Sequence, residues 1–531
     1  MSPRLFAILV LLSVAACDHR SAASRGASQL VVARLSEPSS LNPLYLQGPD
    51  VSDVSALLFS SLTRYDERNQ IAPDVAAVVP TVANGGISAD GRHIVYRLRH
   101  GVRWQDGIPL TARDVVFTYR ASVDRVNAIP AQSDYDSIES VSAPNPYEVD
   151  VLLKRPFAPI VATFFGGDGR PILPSHVLEK YKTLVAARFN LSPIGSGPYR
   201  LERWLRGDRL DLVANDHYYA GTPKIARISI RFVSNHATIL NELRTGDVDA
   251  TFLASPAEIR SLRALPEHTV VVTRDRPSFG VIVLNLGDVM FHDVAVRRAF
   301  AAAIDRSAIA KKATYGMYDA ATGTRGLFGW AYDPKADAQT YDSERARELL
   351  EKAGWHTAPD GVRTKNGRRL QLQFVFYGRS FAAGTIVPLI VEEARVAGFD
   401  VKAKPYDINQ LYAPGGPLER GTFQIALLGM QTGLDPDPSS YVACGQVPPN
   451  GFNFARYCDP DVDLALHRAL ATYERSERKP YYSLIQRKLA ADVPYVFLWQ
   501  PSEIDVIPNA LRGYEPSAKS GPYASVARWH F

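Results

Sequence analysis

The sequence predicts an α/β protein of two large lobes, each built on an open sheet. Length is the first reason: 531 residues exceed what one ordinary hydrophobic core holds together, and chains of this size divide. Pattern is the second. Short apolar or alternating runs interleave with stretches of helical period along the whole chain, which favours sheets covered by helices. Composition is the third: 46% hydrophobic, 10% aromatic and 22% charged residues, without a low-complexity tract, as in a folded globular protein. The net charge of +5 comes from Arg and Asp/Glu interspersed throughout. A nucleic-acid binder would cluster that excess with aromatics, so none is expected as a partner.

At the N-terminus, Arg4 precedes an apolar run from Leu5 to Ala16 broken only by Ser13. That run is too short to span a bilayer and suits a signal-peptide core. It ends in Val14-Ala15-Ala16-Cys17, which resembles the bacterial lipobox. Residues 1–17 therefore read as a lipoprotein signal peptide, Cys17 as the acylated residue, and residues 18–28 as a flexible tether. No later stretch is apolar and long enough to cross a membrane. The expected product is a body held to the membrane by its lipid.

Leu30 to Leu35 is a β-type run ending at the turn signal Glu37-Pro38, and a helix is expected around Val54 to Leu62. Ile94 to Arg99 alternates like a half-buried strand after the turn Asp90-Gly91. Thr111 with Asp114 three residues on marks a helix start. Ser234 is expected to cap a helix that Gly246 stops, with a strand beginning at Val248-Asp249-Ala250. Asp293 caps a helix whose inward face is Val296, Phe300, Ala303 and Ile304. Asp342 or Ser343 starts another, with Gly354 as its stop, and Leu370 to Tyr377 alternates as a strand.

Beyond Cys17 only Cys444 and Cys458 remain. In an oxidising compartment they read as a disulfide rather than a metal site, which would need more thiolates or a nearby His. No cofactor or metal is expected. His-Glu-x-x-His, Gly-x-Ser-x-Gly and a Gly-Lys phosphate loop do not occur, so no catalytic frame is visible. His176 reads as structural, and the chain is expected not to be an enzyme.

The motifs fall in a familiar order. Ser88-Ala89-Asp90-Gly91, Tyr96-Arg97-Leu98-Arg99, Gly101-Val102-Arg103-Trp104, Asp106-Gly107 and Leu110-Thr111-Ala112 with Asp114 to Phe117 form one block. Gly195-Ser196-Gly197-Pro198-Tyr199, Val296 to Phe300 with Ala303 to Arg306, Ala346 to Leu350 with Ala353-Gly354-Trp355, and Asp435-Pro436-Asp437-Pro438 follow. This series resembles the extracellular solute-binding proteins of family 5, the oligopeptide, dipeptide and nickel class, from about Leu30 to the C-terminus. The resemblance implies a two-lobed periplasmic-binding-protein fold (type II, cluster C). Lobe I would span 29–278 with an extra subdomain at about 62–195, lobe II 279–491, and 492–531 would return to lobe I. The crossings are expected near Arg274 to Val283 and Asp492 to Gln500.

The same resemblance implies a clamp that closes on a small ligand and delivers it to ABC permease subunits, probing extended ligands through main-chain hydrogen bonds. The peptide-pairing segment would fall on Gln47-Gly48-Pro49, with Pro49 lacking a donor. The opposite wall would be Gly429 to Leu434, including Met430, Gln431, Thr432, Gly433 and Leu434. Peptide-binding members carry an aspartate for the ligand's α-ammonium where this chain has Gly433. Either Asp435 or Asp437 then replaces it, or the ligand has no free α-amine and both aspartates fix a turn. Tyr45, Phe279 and Tyr441 either stack on ligand or pack in the core. The expected function is that of an importer's binding lipoprotein for peptides or modified peptides, monomeric and extracytoplasmic, on the periplasmic face of the inner membrane in a Gram-negative cell. Alternatives are a non-peptide solute (glycan fragment, opine, siderophore or metal chelate), a ligand sensor for a membrane receptor and, more remotely, an exported hydrolase.

Overall fold

The computed structural model describes residues 28–45, 49–129, 133–167, 170–321, 323–336 and 339–531. The readings of Cys17, the signal peptide, nearly all the tether, Gln47 and Gly48 lie outside the described residues.

Two large sheets organise the chain. The first has seven strands in the order His268–Thr273, Glu503–Pro508, Ala250–Thr251, Gln29–Arg34, Arg227–Phe232, Arg209–Ala214 and Tyr199–Leu205. Gln29–Arg34 runs parallel to both of its neighbours, with Val32 opposite Ala250 on one side and Ile230 on the other. Side chains alternate between faces along a strand. Leu30 and Val32 accordingly enter a core with Leu57, Tyr199 and Trp529, while Val31 and Ala33 enter a second with Ile239 and Leu243. An unbroken apolar run such as Leu30 to Ala33 is what a strand covered on both faces requires.

The second sheet has six strands: Asp319–Ala320, Tyr495–Gln500, Ser278–Leu284, Ile425–Gln431, Gln371–Tyr377 and Asp400–Tyr406. Ile282 and Leu284 pack with Phe300, Leu350 and Ile390 on one face. Val281 and Val283 pack with Leu466 and Tyr482 on the other. Between the first strand of lobe I and the crossing into lobe II lies a small subdomain. Its three-stranded sheet, His93–Arg97, Glu148–Leu153 and Ile138–Asn145, and its separate core hold Trp104 and Phe164. The chain passes from the first sheet to the second between Thr273 and Ser278, and back between Gln500 and Glu503. The return therefore follows the Asp492 to Gln500 stretch expected from the sequence. Tyr495 to Leu498 is a buried apolar run and forms a strand of lobe II itself.

Helix starts follow side-chain chemistry. Asp293 accepts the Ala295 N–H at 2.8 Å, Asp342 that of Arg345 at 2.8 Å, and the Thr111 N–H donates to Asp114 at 2.8 Å; caps of this kind contribute about 1 kcal/mol each. Two expectations shift. The cap of His236–Thr245 is Asn235, which accepts the Thr238 N–H at 2.9 Å; Ser234 lies one residue too early and instead accepts from the Asn235 amide. The helix expected at Val54 to Leu62 is Pro49–Leu58. At its end the Leu58 carbonyl accepts the Gly197 N–H at 2.9 Å, and glycine is required at 195, where an added Cβ would stand 1.7 Å from that oxygen. Past that point Ser60 N–H turns to Ser196 and Ser61 N–H to Asp74. Cys444 and Cys458 are joined as a disulfide with their Cα atoms 4.4 Å apart. Among the described residues no helix is long and apolar enough to cross a membrane.

Candidate functional site

Two cavities meet where the lobes face each other. The larger, about 640 Å³, is walled mainly by lobe I. The short strand Thr63–Tyr65 pairs with Ile71–Pro73, Arg64 opposite Ala72. Thr63, Arg64 and Tyr65 all line the cavity, and alternation buries Thr63 and Tyr65 while leaving Arg64 half-buried. Asp74, just past the partner strand, accepts from Ser61 N–H at 2.7 Å and from the Tyr219 hydroxyl at 2.5 Å. Burial pushes the Asp74 carboxyl above its ordinary range, and these two donors oppose that push. Burial and the nearby Asp74 raise the Tyr219 phenol as well, so it remains a donor. Arg99 binds the Asp74 carbonyl at 2.8 Å and lies over the Tyr219 ring. At the base of the cleft, Arg276 from the first crossing forms an ion pair with the buried Glu503. Gln500 ties the crossings together by donating to the Arg276 carbonyl at 2.7 Å.

The second cavity, about 510 Å³, belongs to lobe II and is largely apolar, walled by Phe279, Tyr377, Leu411, Tyr412, Met430 and Trp499. Phe279 and Met430 are opposite one another across the strand pair Ser278–Leu284 and Ile425–Gln431. Gly280 is essential to the wall's shape. A Cβ there would fall 2.2 Å from the Trp499 indole, so only glycine lets Trp499 lie across the strand. Tyr441 also lines this cavity and donates to the Gln431 carbonyl at 2.9 Å. Gln431 lines both cavities and joins them.

The strand Ile425–Gln431 is paired along its full length with Ser278–Leu284. Its other neighbour, Gln371–Tyr377, pairs only with Ile425, Ala426 and Leu427. Among the described residues, Leu428, Gly429 and Met430 thus have no strand partner on that side. Nothing lies within 4 Å of a Cβ built on Gly429.

Of the residues expected to bind ligand, Phe279, Met430, Gln431 and Tyr441 line a cavity. Others are placed differently. Tyr45 packs against the lobe I core and donates to the Asn127 carbonyl at 2.8 Å. Pro49 opens a helix rather than lying on an extended segment; at the first helical position its missing N–H has no partner to lose. Thr432 is held by its N–H to Pro277 and its hydroxyl to Gly326, and Gly433 and Leu434 follow it outside both cavities. Neither carboxylate of the Asp-Pro-Asp-Pro turn lines either of these two cavities. Asp435 is ion-paired at 2.8 Å with Arg478, whose side chain is 2% exposed. Asp437 accepts the Ser439 N–H at 2.9 Å, as a turn residue does. Tyr482 completes the arrangement by accepting from Arg478 and donating to the Pro436 carbonyl. His176 pairs with Asp106 at 2.7 Å, in the subdomain.

The lobes also touch far from the crossings. Tyr473 of lobe II donates to the Gly91 carbonyl of the subdomain at 2.9 Å, and Ala158 N–H reaches the Leu470 carbonyl at 2.7 Å. Lys519 spans from the C-terminal segment to the Thr432 carbonyl at 3.3 Å. Sequence reasoning missed Arg64, Asp74, Tyr219, Trp499 and Tyr473. Among the described residues no group of three metal-ligating side chains is present.

The family model of bacterial extracellular solute-binding proteins, family 5, matches residues 77–450. The oligopeptide-binding protein AppA of Bacillus subtilis (strain 168) is 27% identical over 508 residues, covering 94% of this chain and 91% of its own. NikZ from Campylobacter jejuni, solved in complex with Ni(L-His), superposes with a TM-score of 0.78 at 26% identity, covering 95% of this chain and all of its own. The structure of Bacillus subtilis AppA with a nonapeptide shares the fold at a TM-score of 0.75 and 24% identity, over 94% of this chain and 98% of its own.

Proposed function

The chain belongs to family 5 of the bacterial extracellular solute-binding proteins, and on that premise we propose that it is the substrate-binding lipoprotein of an ABC importer. It captures peptides or modified peptides between its lobes and delivers them unchanged to the permease. One observation carries this reading: the open edge of Leu428, Gly429 and Met430 faces a cavity with room for a chain. An extended ligand adds there as a strand, its backbone held by main-chain hydrogen bonds and its side chains received by permissive pockets. A relative of similar length named for oligopeptide binding agrees with it. Cys17 would carry the lipid, holding the protein at the outer face of the membrane it serves.

A second reading, a non-peptide solute such as a metal chelate on the same scaffold, is favoured by the engagement of Asp435 with Arg478. With Asp437 bonded to the Ser439 N–H, that pairing leaves both carboxylates of the turn engaged. Native mass spectrometry of the gently purified chain lacking residues 1–17 separates the two. A ladder of peptide masses is the expected result; a single non-peptide mass would select the second reading. Incubation with bound ligand should return it intact, and turnover would overturn both.

A further inference from the structure

The charges of the lobe I cavity do not balance internally. Its two buried carboxylates both have partners: Asp74 is held by Tyr219 and Ser61, and Glu503 by Arg276. Arg528, also on the lining, is paired with Glu515 at 2.7 Å and Glu67 at 3.5 Å. Arg64 differs. It lines the cavity half-buried, and among the described residues its guanidinium makes no hydrogen bond or ion pair, acting on Asp74, Glu67 and Tyr218 only through space. Lys519 adds a second positive charge to the same lining.

A guanidinium offers five donors in a planar fork that matches a carboxylate with two parallel hydrogen bonds. Inside a partly dehydrated cavity such a pair is stronger than at an open surface. A cationic ligand would meet only carboxylates that are already engaged, together with an arginine whose donors are unused. An anionic one would meet a ready fork.

Resting on the reading of the cleft as a ligand clamp, we propose that the lobe I cavity is a carboxylate subsite in which Arg64 receives the anionic end of the ligand, while its body lies along Gln431 toward the lobe II cavity. Arg64 makes no internal bond, so its replacement leaves the fold intact and tests binding alone.

The probe is a synthetic pool of three- to six-residue peptides built from Ala, Leu, Phe and Ser, prepared in four forms: free, N-acetylated, C-amidated and doubly capped. Dissociation constants by calorimetry, with native mass spectrometry to identify the bound species, give the readout. The expected result is that acetylation changes affinity less than threefold and amidation weakens it at least tenfold. Arg64→Met should weaken the acid forms at least tenfold and abolish the acid–amide difference, and Arg64→Lys should restore part of it. Equal affinity of acids and amides overturns the carboxylate subsite while leaving peptide capture standing. Binding of none of the four forms overturns both. An acid preference that survives in Arg64→Met overturns the assignment to Arg64.

Discussion

In the lobe I cavity the polar groups are charged, buried and mostly answered by one another: Asp74 by Tyr219, Glu503 by Arg276. In the lobe II cavity the wall is aromatic, and the unanswered groups are backbone, along Leu428 to Met430. Residual charge selects by the sign and position of one ligand group. An open strand edge with apolar pockets accepts many side chains, because it bonds only to what all peptides share. One cleft thus combines a particular wall with a permissive one.

That contrast can be broken most forcefully outside both cavities, at Asp435. If it is a structural partner of Arg478, Asp435→Asn strands a buried guanidinium and should cost about 3–5 kcal/mol of stability, read by urea unfolding, with affinity at low temperature nearly unchanged. Loss of affinity with unchanged stability would instead make Asp435 part of the ligand wall. A smaller effect is expected at Gly280. Gly280→Ala drives a methyl group into the Trp499 indole and should cost about 1–3 kcal/mol as overpacking does. Trp499 fluorescence should shift, while selectivity for the ligand's charged end, set across the cleft, is retained. Least costly is Tyr219→Phe, which removes one of two donors to Asp74 at about 1 kcal/mol. Its signature is in pH. Asp74 titrates in the folded protein above its ordinary 3.8, so the folded state holds the proton more tightly than the unfolded chain. Stability is then full below that value and declines as pH rises above it. Losing Tyr219, which opposes the upward shift, should make the decline steeper; a flatter pH profile would remove Asp74 from the account.

The elements that local chemistry dictates were legible in the sequence. Asp293 and Asp342 cap their helices, the run Leu30 to Ala33 is a strand buried on both faces, and Leu370 to Tyr377 is a strand beginning one residue later. Where the sequence misled, a contact from elsewhere in the chain decided. The first helix ends at Leu58, whose carbonyl is taken by the Gly197 N–H from far along the chain. Tyr495 to Leu498 joins lobe II because Ser278–Leu284 pairs with it. The site divides the same way. The part of the lobe II wall that holds the open edge, Leu427 to Gln431, is one continuous stretch of sequence, so Met430 and Gln431 could be placed from a motif nearby, whereas Tyr377, Leu411 and Trp499 come from distant segments. The lobe I cavity draws on segments around residues 64, 74, 219, 276 and 519, none of which carries a pattern of its own. Whether a carboxylate there is free or engaged depends on a partner as far away as Tyr219 is from Asp74.

Tyr473 grips the carbonyl of Gly91, a group that every amino acid presents alike. The fastening between the lobes at that rim is therefore indifferent to most of the subdomain's side-chain identities. It is sensitive at Gly91, where a Cβ would stand 2.8 Å from the Tyr473 ring. The side chains that line the cavities can therefore be replaced one by one without touching this contact. Ligand preference and the fastening of the lobes at this rim are thus set by separate groups of atoms.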